Sequence, residues 1–361
     1  MLNLSIPGRV ARPLAAAALL CGLLAAVHPL VAQQPQAASN LVSADKPYKI
    51  IDRWKIGGEG GWDYLLADPP VHRLYITRGA RVDVLDTQTG KLAGSIAGLH
   101  GTHGVALDTS GKFGYISDGG GNAVVVFDRA TLTAVATIPA GTNPDAIVFE
   151  PATKTVWAFN GRSKDATVID AATQKVVATI PLPGKPEFAA VDGKGMVFDN
   201  IEDKNEIVRL DAKTNKLTAK WPLTGCDGPS GLAFDVVGHR LFPVCGGKKM
   251  GVIDSKTGKV LATAEIGNGP DAAGWDAKHM LAFASCGEGV LSVVDAGAPG
   301  YPTIESLPTQ RGARTMAYDS AADRLYLVTA EFGSRPEPTA ENPRPRPALI
   351  PGSFVILVVG R

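Results

Sequence analysis

Residues 82–96 read VDVLDTQTGKLAGSI: an alternating apolar strand, an aspartate, a short polar turn, then a second strand. The pattern returns as AVVVFDRATLTAVATI at 123–138, ATVIDAATQKVVATI at 166–180 and EIVRLDAKTNKLTAKW at 206–221. It returns again as MGVIDSKTGKVLATAEI at 250–266 and, degenerate, as LSVVDAGAPGYPTI at 291–304. The aspartates that mark it are Asp86, Asp128, Asp170, Asp211, Asp254 and Asp295, spaced 42, 42, 41, 43 and 41 residues apart. A second landmark keeps the same phase: Pro144, Pro186, Pro229 and Pro270 each precede a short apolar segment. Between the landmarks lies one more apolar run per repeat, such as Leu74-Tyr75-Ile76 or Val156-Trp157-Ala158. Period-2 alternation without a helical period makes every segment a strand. Four strands in each 40–45 residues is the unit of a β-propeller.

Six complete units occupy roughly 61–98, 102–141, 143–184, 185–225, 228–269 and 269–310. A seventh begins near Arg314 and runs to the terminal strand at 353–359, but lacks a fourth strand. The segment 48–56 has the character of a fourth strand with nothing before it. The expected fold is therefore all-β: a single seven-bladed propeller of four-stranded blades over 48–361. Its ring is closed by the N-terminal strand pairing with the C-terminal strand, which removes the exposed ends an open array would carry. Residues 331–351, with six prolines from Pro336 onward, read as an extended insertion in the last blade.

Segments 114–128 (GYISDGGGNAVVVFD) and 156–170 (VWAFNGRSKDATVID) look like the YVTN repeat. The chain resembles the YncE-like, YVTN-repeat seven-bladed propellers over essentially 48–361. That resemblance implies an exported bacterial propeller whose role is often unassigned, and it says little about activity.

The 361 residues carry 36 Lys+Arg against 35 Asp+Glu, which leaves no footprint for a nucleic acid or a polybasic membrane contact. The 41 glycines and 26 prolines fit a chain with many tight turns. Arg9 and Arg12, the apolar run at 14–27 and the small-residue site at Val31-Ala32 form a secretory signal pattern over 1–32. Cleavage after Ala32 is expected, with a lipoprotein site at Cys21 or an uncleaved anchor as the alternatives. A flexible linker, 33–47, would follow. The mature protein is then periplasmic or secreted, without a stable membrane anchor, and monomeric.

Repeat phase gathers two sets of loops on one face, around the channel. The first set contributes Asp63, His103, Asp145, Glu187, Asp271 and Arg314; the second contributes Asn160 and Asn200. These hard oxygen donors suit a cation or a hydroxylated small molecule. Against that, Asp and Asn are ordinary turn residues at a hydrated mouth, Arg314 neutralises part of the acidity, and His103 with His100 can be a plain surface pair. Cys226 and Cys245 fall in loops on that face, so a disulfide between them is expected, with Cys245–Cys286 as the rival pairing. A serine elbow, a phosphate-binding glycine loop and metal-ligand spacings are all missing from the sequence. The leading reading is a binding or scaffold protein that holds a small molecule or protein on the loop-rich face. The alternative is a metal-dependent, lactonase-like hydrolase using the mouth carboxylates. No cofactor is assigned.

Overall fold

The computed structural model describes residues 46–339, 342, 345 and 347–361. The leader assigned to 1–32 and most of the linker lie outside these residues, as do five positions of the proline-rich insertion. Among the described residues, no helix is long and apolar enough to cross a membrane. The chain there forms 27 strands and two single-turn 3₁₀ segments. The strands make five four-stranded sheets and one of seven, all antiparallel and ordered along the chain with one exception. Lys49–Lys55 is that exception: it lies outside Val355–Gly360, pairing from Lys49 opposite Gly360 to Lys55 opposite Val355.

The seven-stranded sheet departs from the expected separation of 61–98 from 102–141. One 16-residue strand, Leu92–Leu107, runs through both units. Its first part pairs with Gly79–Asp86 and its last part with Phe113–Asp118. Gly98 and Gly101 lie between the two parts at φ of 81° and 107°, where the pairing register jumps from Ala97 to Thr102, so the chain swings from one unit to the next through an irregularity within one extended strand.

Burial explains why the repeat looks as it does. Second and third strands such as Thr155–Asn160, Leu281–Cys286 and Val355–Gly360 are buried at every position. They are covered on both faces, which is why they read as unbroken apolar runs. Outermost strands such as Thr303–Pro308 alternate between partly buried and exposed positions. The core is distributed, with each apolar cluster lying between two neighbouring sheets. Trp157 and Phe159 pack with Val197, Ile201 and Val208 of the next sheet, and Leu74, Ile76 and Leu85 pack with Tyr326, Val328 and Ile356 of the last. The innermost strands touch in succession, and Thr315–Asp319 also touches Leu65–Asp68, the first of them.

Each marker aspartate caps its own turn. Asp86 Oδ1 accepts from the backbone N–H of Gln88 (2.9 Å) and Thr89 (2.8 Å), and Asp170 Oδ1 accepts from Thr173 N–H (2.7 Å). Four residues after the marker the backbone is left-handed, at Gly90, Leu132, Gln174, Asn215 and Gly258. Only two of the five are glycine, and the reason is packing. A Cβ on Gly90 or Gly258 would sit 2.6 or 2.1 Å from the Trp54 or Trp221 ring.

Candidate functional site

A polar or charged residue lies within two positions of the start of each innermost strand or, for His103, inside Leu92–Leu107 where its pairing with Phe113–Asp118 begins. In chain order these are Asp63, His103, Asp145, Glu187, Ser230, Asp271 and Arg314. Second-strand side chains brace this series by holding its backbone carbonyls. Thr77 Oγ1 donates to His103 O (2.9 Å), Ser117 Oγ to Asp145 O (2.5 Å), Asn200 Nδ2 to Ser230 O (2.6 Å) and Ser285 Oγ to Arg314 O. Each brace crosses from one four-strand unit to the next, so neighbouring units fix one another's site residues.

His103 Nδ1 lies 2.6 Å from Asp63 Oδ2 and 3.6 Å from Asp145 Oδ1. One ligand atom from each of the three residues lies within 4.8 Å of the others. Lys185 Nζ bonds Glu187 Oε2 at 2.7 Å and also bonds Glu202. Arg314 Nη1 lies 3.0 Å from Asp271 Oδ2. Tyr64 stands among these groups, donating its hydroxyl to the Glu187 carbonyl (2.9 Å) with its ring edge-on to Phe188 at 5.1 Å.

The electrostatics follow from crowding acids in a poorly hydrated place. Burial pushes Asp145 up to about 6, with the charge of Asp63 adding to the effect and His103 opposing it. Burial likewise raises Glu187 to about 7, against Lys185 and with Asp145. Asp271 rises to about 6 by burial, against the charge of Arg314. Asp199, fully buried with no hydrogen bond to either carboxylate oxygen, is pushed well above the usual range by burial, then by Glu187 and Asp145. His103 is raised: burial opposes its charge, and its bond to Asp63 and the nearby carboxylates outweigh that.

The eight sequence-predicted residues divide. Asp63, His103, Asp145, Glu187, Asp271 and Arg314 fall in the series at the innermost strands. Asn160 and Asn200 are fully buried. Asn160 Nδ2 is engaged within its own unit by Asp165 (2.6 Å) and Thr167 (2.9 Å), and Asn200 is a brace. His100 turns away from His103 to Asp118, at 3.2 Å, with a largely exposed ring. Cys226 and Cys245, whose Cα atoms are 5.2 Å apart, are joined, and Cys286 is a buried free thiol. Sequence reasoning missed Tyr64, Lys185 and Asp199. A signal for Tyr64 was present: the residues following His103, Asp145, Ser230 and Asp271 are Gly, Ala, Gly and Ala, whereas Tyr64 and Phe188 are large.

The proline-rich insertion is tethered at both ends. Phe332 bridges Leu349, Gly333 N–H donates to Ala348 O (2.9 Å) and Ile350 N–H to Glu331 O (2.9 Å). Phe332 and Phe354 both approach the Trp62 ring, at 6.4 and 5.4 Å.

Sheets of four antiparallel strands whose innermost strands follow one another around a shared region define the class as a β-propeller. Solved structures agree. The chain is similar to Kuenenia stuttgartiensis hydrazine synthase, with 17% identity and a TM-score of 0.66, covering 74% of this chain and 92% of that one. It is also similar to U3-55K, with 8% identity and a TM-score of 0.69, covering 86% and 98%. At these identities the likeness is one of fold. No family model and no curated protein matches the sequence.

Proposed function

We propose that this chain is an exported, seven-bladed propeller of the YVTN-repeat, YncE-like kind. In this reading it is a binding or scaffold protein that holds a ligand or partner at the mouth formed by Asp63, His103, Asp145, Glu187 and Asp271. The blade count treats the seven-stranded sheet as two blades sharing Leu92–Leu107, with the Lys49–Lys55 pairing completing the last blade. The observation that carries the binding role is the set of three partly buried carboxylates, Asp145, Glu187 and Asp271, raised to about 6–7. Groups held at such cost gain most when a cationic or hydroxyl-rich ligand supplies the missing charge or hydrogen bonds. The test is thermal stabilisation of the wild type and of an Asp145→Asn, Glu187→Gln double variant by polyamines, sugars and divalent cations. A ligand that uses the mouth raises Tm of the wild type alone; if every stabilising ligand acts equally on both, the mouth is not the site.

The Asp63–His103–Asp145 triple favours a second reading, a metal-dependent, lactonase-like hydrolase. There these three would hold a divalent cation that polarises an ester carbonyl. His103 Nδ1 would have to release its bond to Asp63 for that. Titration with Ca²⁺, Mg²⁺, Mn²⁺ and Zn²⁺ decides it: no shift in Tm with any of them removes the hydrolase reading.

A further inference from the structure

Beside the mouth residues lies a cavity of about 440 Å³ that the binding role proposed above does not use. Trp62, Phe332, Pro347 and Leu349 give it apolar walls, and Arg311 and Arg314 line it as well. The two aromatic rings are inclined at 56° with centres 6.4 Å apart, so they form a wedge and not a stack. Glycine keeps the walls thin where they matter. A Cβ on Gly312 would strike the Phe332 ring at 2.7 Å, and the Arg314 side chain runs along Gly287, 3.7 Å from where a Cβ would be.

The charge in the cavity is unbalanced. Arg314 is paired with Asp271, whereas exposed Arg311 has no carboxylate partner among the described residues. Among the described residues, two guanidinium groups against one carboxylate leave one positive charge beside the apolar walls. A cation would be repelled there, and a neutral apolar molecule would cover the unpaired guanidinium without bonding it. Inorganic phosphate would leave the aromatic walls unused. A planar organic carboxylate satisfies both parts, because guanidinium presents a paired donor geometry to carboxylate and aromatic walls take the flat body.

We propose that this cavity binds an organic monoanion with a flat apolar body, its carboxylate at Arg311 and Arg314 and its body against the wall made by Trp62, Phe332 and Leu349. The proposal rests on reading the loop-rich face as a recognition surface. The test uses the full chain and 1-naphthoate as probe, with 1-naphthamide as the neutral isostere, measured by calorimetry. The expected result is one saturable site for naphthoate, weakened about tenfold in the amide and about tenfold in Arg311→Gln, with partial recovery in Arg311→Lys. Arg311 is exposed, so Arg311→Gln should fold with an unchanged Tm. The Asp145→Asn, Glu187→Gln variant should bind naphthoate within about twofold of wild type, since it leaves this cavity intact. Equal affinity for the amide, unchanged binding in Arg311→Gln, or no naphthoate binding up to about 5 mM overturns the proposal. So does loss of binding in the mouth variant alone, which would place the anion at the mouth and leave the mouth itself as a working site.

Discussion

Two populations of carboxylate share this fold, and their environments drive them in opposite directions. At the turns between third and fourth strands, Asp86, Asp128 and Asp170 lie near the surface, each held below the usual range by hydrogen bonds from the threonine three residues on, its backbone N–H foremost. At the mouth, Asp145, Glu187 and Asp271 are raised, because burial removes the water that would solvate their charge and no full set of donors replaces it. The first population is satisfied by its own local chain. The second is only partly satisfied: Lys185 reaches Glu187 and Arg314 reaches Asp271, but Asp145 Oδ1 is left without a hydrogen bond, which is why this is the place to look for a ligand. The lesson is that an aspartate's type and even its repeat phase do not tell its role; the number of donors the backbone aims at it does.

The largest expected effect comes from Asp145→Asn. Asp145 is raised from 3.8 to about 6, so the folded state keeps a proton that the unfolded chain gives up from pH 4 onward. Stability is therefore lost as pH climbs through that window and stays lost above it. Asp145→Asn should match the wild type near pH 4 and be more stable by about 2 kcal/mol at pH 8, read from urea unfolding. Equal stability at both pH values would mean that Asp145 is solvated, and the contrast between mouth and turn would collapse.

His103→Gln should act in the opposite sense and less strongly. Its folded pKa is raised, so its contribution is complete below about 6.5 and fades as pH rises through the folded value. With its side chain about a quarter exposed, the cost of His103→Gln should be about 1 kcal/mol at pH 6 and less at pH 9. Smallest is Asp170→Ala at a turn, which should lower Tm by about 2 °C at neutral pH. That loss should shrink as acid protonates the carboxylate in the wild type, because a depressed pKa stabilises only above it. A turn variant with a larger effect than the mouth variant would reverse the ranking.

Much of the architecture was legible because the repeat is a packing repeat. Buried second and third strands must be apolar, and turns must return the chain at a fixed length, so phase survives where identity does not. Phase also located Asp63, His103, Asp145, Glu187, Asp271 and Arg314. What phase cannot show is direction. Asn160 and Asn200 occupy loop-end positions on the same face, yet their amides turn into the structure to hold Thr167 and the Ser230 carbonyl. His100 is three residues from His103 and still takes a different carboxylate, because the strand there bends at Gly101. Lys185 reads as an ordinary surface lysine until Glu187 of the innermost strand and Glu202, from the 3₁₀ turn after the second strand, are found beside it. The unbroken strand Leu92–Leu107 escaped for a related reason. Glycines signal a turn in sequence, and here two of them at positive φ bend one extended strand across a jump in its pairing register.

The pairing of Lys49–Lys55 with Val355–Gly360 has a consequence in time. Among the described residues, the first strand synthesised is the partner of the last, with roughly 300 residues made between them. At about 5–20 residues per second, that is a wait of some 15–60 s during which one edge of the nascent chain has nothing to pair with. The waiting strand is KIIDRWK, in which four of seven residues are charged, a composition that discourages strangers from adding to a bare edge. Its apolar and charged residues thus serve two periods of the molecule's life: the charges guard the segment before its partner exists, and Ile50 and Trp54 pack once it does.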